Sequence, residues 1–256
     1  MALALVTIPC LSDNYAYLLR DEASGETALV DVPEAAPILA ELDARGWELS
    51  QVWLTHHHPD HVQGLPEIQA SYPGAKIYGG AADAHRLPAL DVALEEGDSL
   101  TLGGESGTVL DVSGHTIGHL AFHFPESGIA FTADSLMAFG CGRVFEGTFP
   151  QMYESLAKLA ALPPETTICS GHEYTLANAK FARTIEPENS ELISRYEAVE
   201  AARAAGRQTV PSLLSEELAT NPFLRAHVPG VAANLGLSDA TPAEVFAEIR
   251  RRKDAF

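Results

Sequence analysis

The chain has 256 residues, with 16 Lys and Arg against 35 Asp and Glu, a formal net charge of −19 with histidines neutral. Phosphate affinity rests on basic residues, so this balance excludes a general nucleic-acid binder and a protein held by charge to an anionic membrane. At 46% hydrophobic and 20% charged the composition is that of a globular protein, and no apolar run reaches the ~18 residues that span a bilayer. Three cysteines, Cys10, Cys141 and Cys169, lack paired spacing, which argues against a disulfide framework and for a reducing compartment. The opening residues have no basic n-region and carry Asp13, Asp21 and Glu22 early, so the expected location is the cytoplasm.

β-branched and aromatic runs at 3–8, 15–20 and 27–32, separated by Ser12-Asp13-Asn14 and Ser24-Gly25, predict an antiparallel meander. Pro33 opens a helix to about Arg45, with Ile38, Leu39 and Leu42 at helical spacing and Gly46 as its stop. A short strand at 51–54 leads into a histidine cluster, and 60–72 reads as helical. Strands are expected around 75–79, 99–102, 108–112, 119–124 and 128–133, then a helix at 151–161, a strand at 166–170 and a helix at 174–184. From about 173 the pattern changes to helices at 191–205 and 242–253 with no strand between them. The expected organisation is a strand-and-helix domain over 1–172 and a smaller helical domain over 173–256.

Four of the ten histidines fall in one window, Thr55-His56-His57-His58-Pro59-Asp60-His61, directly after a predicted strand. Loops held by a rigid scaffold are where catalytic groups tend to lie. In an extended segment His56 and His58 point the same way, while Asp60 and His61 at the next helix start can face a neighbouring point. Imidazole nitrogen and carboxylate oxygen suit zinc, iron or manganese, and the absence of nearby cysteines disfavours a structural zinc knuckle. The bland alternative, a solvated histidine-rich loop, does not account for three more ligand candidates. These are His115 in Gly114-His115-Thr116-Ile117-Gly118-His119, Asp134 after an apolar run, and His172 in Ser170-Gly171-His172-Glu173.

The T-H-x-H-x-D-H run with the later His, Asp and His resembles the metallo-β-lactamase superfamily. Gly140-Cys141-Gly142-Arg143, Phe145-Glu146-Gly147, Gly171-His172-Glu173-Tyr174-Thr175, Lys180-Phe181-Ala182-Arg183 and Asn221-Pro222-Phe223-Leu224-Arg225 resemble its glyoxalase II branch, the hydroxyacylglutathione hydrolases. The similarity runs from about residue 5 to the C-terminus. It implies an α/β fold, a four-layered αββα sandwich followed by a helical C-terminal domain that contributes to glutathione binding. It also implies one metal held by His56, His58 and His115, a second held by Asp60, His61 and His172, and Asp134 bridging them. Two divalent ions are expected, zinc first, with iron or manganese as alternatives. His57 and His119 then lie outside the ligand set; His57 reads as solvated or as a group that supports the ligands, and His119 and His123 as structural or as supports of the ligands.

The implied reaction is hydrolysis of the thioester S-D-lactoylglutathione to D-lactate and glutathione, the second step of methylglyoxal detoxification. Two metals lower the pKa of a bridging water toward ~7, so the protein need not supply a nucleophile, and Asp60 can take up the proton. No Gly-x-Ser-x-Gly is present, and Cys141 and Cys169 have no adjacent base. Glutathione carries two carboxylates, so a chain at −19 needs a basic clamp. Arg143 and the run Arg250-Arg251-Arg252-Lys253 supply candidates; by matching position Arg250 and Lys253 meet a carboxylate and Tyr174 the peptide portion. Cations in the last turn of a helix also favour its macrodipole with no ligand involved.

Departures from the family pattern are Pro59 in the metal loop, Gln63 and Ala133 where Gly is usual, Arg143 for Lys, and Phe145 where a Tyr often donates a hydroxyl to glutathione. The rival reading is a persulfide dioxygenase of the same fold with mononuclear iron; a metal-binding module without turnover is a third. The partner expected is a small glutathione thioester, with no nucleic acid and no membrane, and the expected state is a monomer.

Overall fold

The computed structural model describes residues 2–256. The chain divides into two compact units, one formed by the described chain up to Asp111 together with Ile117–Thr132, the other by Val112–Thr116 with Ala133–Phe256.

In the first unit, β1 (Ala4–Cys10), β2 (Asn14–Arg20) and β3 (Thr27–Val30) form the expected antiparallel meander. The chain crosses over through α1 (Ala35–Arg45) to β4 (Gln51–Trp53), then through α2 (Pro59–Val62) and α3 (Leu65–Ser71) to β5 (Lys76–Gly80), with β6 (Val92–Leu94) beyond it. Strands β3 to β6 run parallel. Their carboxyl ends therefore share one edge, the edge at which open α/β sheets bind ligands. Asp31 follows β3, the histidine loop follows β4, and Asp83 lies three residues past β5. A second sheet is antiparallel, formed by β7 (Ser99–Leu102), β8 (Glu105–Asp111), β9 (Leu120–Phe124) and β10 (Ile129–Ala133).

The first sheet is buried on both faces, which is why β2 reads as a continuous apolar run rather than an alternating one. One face sets Ala16, Leu18, Leu29, Val52 and Ile77 against Ile38 and Leu42 of α1 and Leu65 and Ile68 of α3. On the other, Trp53 stacks on Phe124 at 5.2 Å and meets Phe122 and Phe131 edge-on, while Tyr17 lies 5.6 Å from Phe131. Each such side chain stabilises the fold by about 1.5–3 kcal/mol on burial. The indole N–H of Trp53 donates to Gln51 Oε1 at 2.9 Å, so burial strands no donor. Helix, sheet and sheet are thus layered within this unit.

The second unit opens with the hairpin β11 (Leu136–Met137) and β12 (Gly140–Cys141), followed by α4 (Phe149–Ala160), β13 (Thr167–Ser170), α5 (Thr175–Ile185) and α6 (Ser190–Ala204). Then come β14 (Ser212–Leu213), α7 (Leu214–Thr220), α8 (Pro229–Asn234) and α9 (Pro242–Ala255). The expectation of no strand past 173 fails at β14, which pairs antiparallel with β13. Two residues are too few for alternation to register, and α7 and α8 are too short for a helical period to stand out. The single helix expected at 60–72 is two, broken at Gln63-Gly64. A Cβ on Gly64 would lie 2.8 Å from the Ala35 nitrogen, so the chain passes too close there for another residue.

Candidate functional site

In the first unit the histidine loop is organised by a buried carboxylate that the sequence reading did not single out. Asp31 Oδ1 accepts the Thr55 N–H at 2.9 Å, and its Oδ2 accepts the Thr55 hydroxyl and His61 Nδ1–H, each at 2.8 Å. The hydroxyl's one proton goes to Asp31, so Thr55 Oγ1 is the acceptor in its 3.0 Å contact with His56 Nδ1. Both imidazoles are therefore protonated on Nδ1, and each presents the Nε2 lone pair that a metal requires. His56 Nε2 lies 3.1 Å from His58 Nδ1, a pair of nitrogens close enough to serve one ion. Asn14 Nδ2 donates to Asp60 Oδ2 at 3.0 Å and to the Asp60 carbonyl at 3.1 Å, fixing that carboxylate at the start of α2.

The neighbouring histidines do different work. His57 Nδ1 pairs with Asp83 Oδ2 at 2.8 Å, and the Arg86 guanidinium takes the other Asp83 oxygen. His119 is buried, contacts the Leu120 carbonyl through Nδ1 at 3.1 Å, and stacks on His56 at 4.6 Å with 16° between the rings. His123 lies on β9, and burial lowers its pKa.

In the second unit Asp134 Oδ2 lies 3.4 Å from His115 Nε2 and 3.3 Å from His172 Nε2. One carboxylate oxygen flanked by two imidazole nitrogens has the chemistry of a bridging ligand. His115 donates Nδ1–H to the Arg143 carbonyl at 2.7 Å, the same tautomer as His56 and His61. This explains a glycine of the Gly140-Cys141-Gly142-Arg143 motif: a Cβ on Gly142 would lie 2.1 Å from the Asp134 carbonyl oxygen and 2.9 Å from His115 Nδ1. Ala133, where Gly is usual, has φ +40°, a conformation that favours glycine. His172 is stacked on Tyr174 at 4.6 Å with 4° between the rings. Within each unit the donor types and tautomers fit a divalent metal.

The anion-binding candidates also lie in the second unit. Arg143 and Phe145 follow β12, and the Phe145 ring, 60% exposed, lies 5.3 Å from the His115 ring. On α9, which opens on a Thr241/Glu244 capping box, Arg250 is buried and donates Nη1–H to the Cys141 carbonyl at 2.9 Å. Lys253 Nζ lies 3.5 Å from the Ala177 carbonyl, near the rings of Phe181 and Phe256. Burial, and then the Arg250 charge, hold the Lys253 ammonium below the ordinary lysine range. Arg251 and Arg252 instead pair with Glu248 on their own helix. Asn221 of the Asn-Pro-Phe segment is structural: its amide donates to the Met137 and Gly140 carbonyls and so braces the hairpin before Arg143. Arg225 is likewise bound to Glu186 at 2.7 and 2.9 Å. All three cysteines are buried thiols outside any disulfide; burial pushes the Cys141 thiol up to about 11, unfit for a nucleophile at neutral pH.

The missed residues are Asp31, Asn14 and Asp83. Asp31 had a signal, since it ends an apolar strand run as Asp134 does.

A metallo-β-lactamase superfamily model matches residues 12–172, and a model of the hydroxyacylglutathione hydrolase C-terminus matches residues 173–256. The hydroxyacylglutathione hydrolase of Cereibacter sphaeroides is 63% identical over 256 residues, 100% of both chains. Among solved structures, ETHE1 from Myxococcus xanthus is similar with a TM-score of 0.66 and 23% identity, over 100% of this chain and 99% of that one. TTHA1623 in a di-iron-bound form is 28% identical with a TM-score of 0.57, over 66% of this chain and 91% of that one.

Proposed function

Because the chain belongs to the hydroxyacylglutathione hydrolases of the metallo-β-lactamase superfamily, we propose that it hydrolyses S-D-lactoylglutathione and related hydroxyacylglutathiones to the hydroxy acid and glutathione. It is a hydrolase of α/β class with the metallo-β-lactamase fold and a helical C-terminal domain, and its His/Asp clusters support divalent metal use. The observation that carries the reading is the common orientation of His56, His61 and His115, each with Nδ1–H directed to an acceptor of the protein and Nε2 turned toward another candidate ligand, His58 Nδ1 at 3.1 Å, Asp60 Oδ2 at 3.8 Å and Asp134 Oδ2 at 3.4 Å respectively.

In this reading His56, His58 and His115 would hold one ion and Asp60, His61 and His172 a second, with Asp134 as the carboxylate that would serve both. Zinc is the expected occupant, and the di-iron form of TTHA1623 supports a binuclear centre while leaving iron open. When bound, two such ions lower the pKa of water toward ~7 and polarise a carbonyl oxygen. Asp31, Thr55 and the Arg143 carbonyl keep the imidazoles oriented, and Asp60, held by Asn14, takes up the proton released as water attacks the thioester carbon. Collapse of the tetrahedral intermediate breaks the C–S bond and releases thiolate and carboxylate. Arg143, Phe145, Tyr174, Arg250 and Lys253 receive the glutathione moiety.

The functional division at 172/173, with the second part serving glutathione, is supported by the limits of the two family models. A cytoplasmic monomer completes the reading; among the described residues no helix is long and apolar enough to cross a membrane. Hydrolysis of S-D-lactoylglutathione, followed by loss of thioester absorbance with metal analysis on the same sample, tests it. A fully metal-loaded protein that leaves this thioester intact would overturn it, and oxygen uptake with glutathione persulfide would point to the dioxygenase instead.

A further inference from the structure

Three guanidinium N–H groups meet on one oxygen of Asp254. Its Oδ1 accepts Nε and Nη2 of Arg250 at 3.1 and 2.8 Å and Nε of Arg143 at 3.2 Å, while its backbone carbonyl accepts Nη2 of Arg143 at 3.4 Å. The two arginines differ in every other respect. Arg250 is 4% exposed, bonded to the Cys141 carbonyl, and lies 5.2 Å over the Phe223 ring. The Arg143 side chain is 53% exposed and belongs to the stretch after β12. An exposed ion pair alone contributes little, but here the carboxylate is anchored by a buried partner that cannot do without it.

A guanidinium carries five N–H donors. Asp254 engages two of those on Arg143, one at Nε and one at Nη2, so three remain for another acceptor. We propose that Asp254 is a positioning residue: anchored on buried Arg250, it grips the exposed Arg143 and presents the rest of that guanidinium, already ordered, to a carboxylate of the glutathione thioester. This rests on the reading that Arg143 receives such a carboxylate. An ordered arginine spares the ligand the loss of rotamer freedom that binding otherwise imposes, and a planar fork suits a carboxylate better than a point charge does. Competition by Asp254 for the same cation is the opposite expectation. The geometry disfavours it, because Arg250 needs this counter-ion with or without substrate and most of the Arg143 donors are left over.

The experiment is steady-state kinetics of the metal-loaded full chain with S-D-lactoylglutathione and with the same thioester esterified at both glutathione carboxylates. The variants are Arg143→Ala, Asp254→Ala, Asp254→Asn and the double variant Arg143→Ala/Asp254→Ala. Immobilising one long side chain corresponds to about 2- to 12-fold. Asp254→Ala is therefore expected to raise KM for the anionic thioester by that factor with kcat maintained, and to leave KM for the diester at the parent value. Asp254→Asn keeps an acceptor oxygen and should recover most of the loss. In the Arg143→Ala background the Asp254→Ala penalty should vanish. An unchanged or lowered KM in Asp254→Ala overturns the proposal, as does a penalty that persists at full size without Arg143, which would make Asp254 a prop for Arg250 alone. An unchanged KM in Arg143→Ala removes the underlying carboxylate reading; a raised KM there with an unchanged Asp254→Ala removes only this proposal. If Asp254→Ala does not fold, the same cycle is run with Asp254→Asn, whose smaller rise must likewise disappear without Arg143.

Discussion

The histidine loop and the end of α9 each concentrate four like side chains, His56, His57, His58 and His61 in one case and Arg250, Arg251, Arg252 and Lys253 in the other. The structure treats them differently. In the loop, neighbours in sequence acquire separate fixed partners: His56 turns to Thr55, His57 to Asp83 and His61 to Asp31. Along the helix, successive cations fan out around the axis, so Arg250 is buried, Arg251 and Arg252 pair with Glu248 at the surface, and Lys253 is half-buried. A cluster in a loop at strand ends can be a single site. A cluster on a helix is divided by geometry, and only part of it can face any one ligand.

The strongest way to break this contrast is to remove the metal. Chelation followed by desalting should lower the hydrolysis rate to background, and two equivalents of zinc should restore it. Full turnover by verified metal-free protein would leave the loop as a histidine-rich surface and nothing more. Next in size, Asp134→Ala should lose both metal and activity, because its Oδ2 lies within 3.4 Å of imidazole nitrogens from two histidines. His57→Ala and His119→Ala should cost about 10–100-fold at most, the range for groups that orient ligands. If His119→Ala is as metal-poor and inactive as Asp134→Ala, the choice of His115 over His119 is wrong.

Much of this was legible in the sequence for a physical reason. The strand ends carry the donors, and strands marked by β-branched and aromatic runs, such as those of the meander, appear close to where their residue types place them. What escaped has equally plain causes. Asp31 has no histidine beside it in sequence; its partners arrive from the loop after the parallel neighbour β4 and from α2, 24 and 30 residues away. Asp254 reads as an ordinary helix-surface partner of Arg250 at i,i+4, and only tertiary structure brings Arg143 to it across 111 residues. Likewise β14 is too short to signal itself, and Gly142 is explained by a carbonyl that only folding brings close.

Asp31→Asn sharpens the loop side of the comparison. Asn tolerates the φ of +57° found at this position, so the fold should survive. Its amide would face His61 Nδ1 or the Thr55 hydroxyl with a donor where the carboxylate now accepts, moving the proton of the imidazole toward Nε2. Metal affinity should fall about 10- to 100-fold, measured by competitive chelation rather than by turnover. Unaltered affinity would make Asp31 a packing residue. On the helix side, Lys253→Ala tests the division of the cation run. A charge-assisted hydrogen bond of about 1.5 kcal/mol corresponds to roughly a tenfold rise in KM with kcat near normal, whereas a cation serving only the helix dipole would shift stability by about 0.3–1 kcal/mol and leave kinetics alone. Arg251→Ala, whose ion pair lies within α9 and whose guanidinium lies 5.3 Å over the Phe149 ring, should follow the second pattern.

The smallest expected effect is at Phe145, which lies two residues after Arg143 and whose ring is 5.3 Å from that of His115. The ring is 60% exposed, so a hydroxyl added in Phe145→Tyr would stand in water without a ligand and would strand no buried donor. Its net contribution on binding is one ordinary hydrogen bond weakened by solvent, at the low end of about 0.5–1.5 kcal/mol. That corresponds to roughly a two- to threefold fall in KM for the glutathione thioester. Because the ring itself is retained, its contact with His115 is kept and kcat and metal content should not move. A fall in KM confined to glutathione thioesters, absent with a simple alkyl thioester, would place this position at the peptide portion of the substrate. A change in kcat or in metal content instead would mean that the ring acts through His115, and that the loss of the hydroxyl in this chain is compensated at the metal end rather than at the glutathione end.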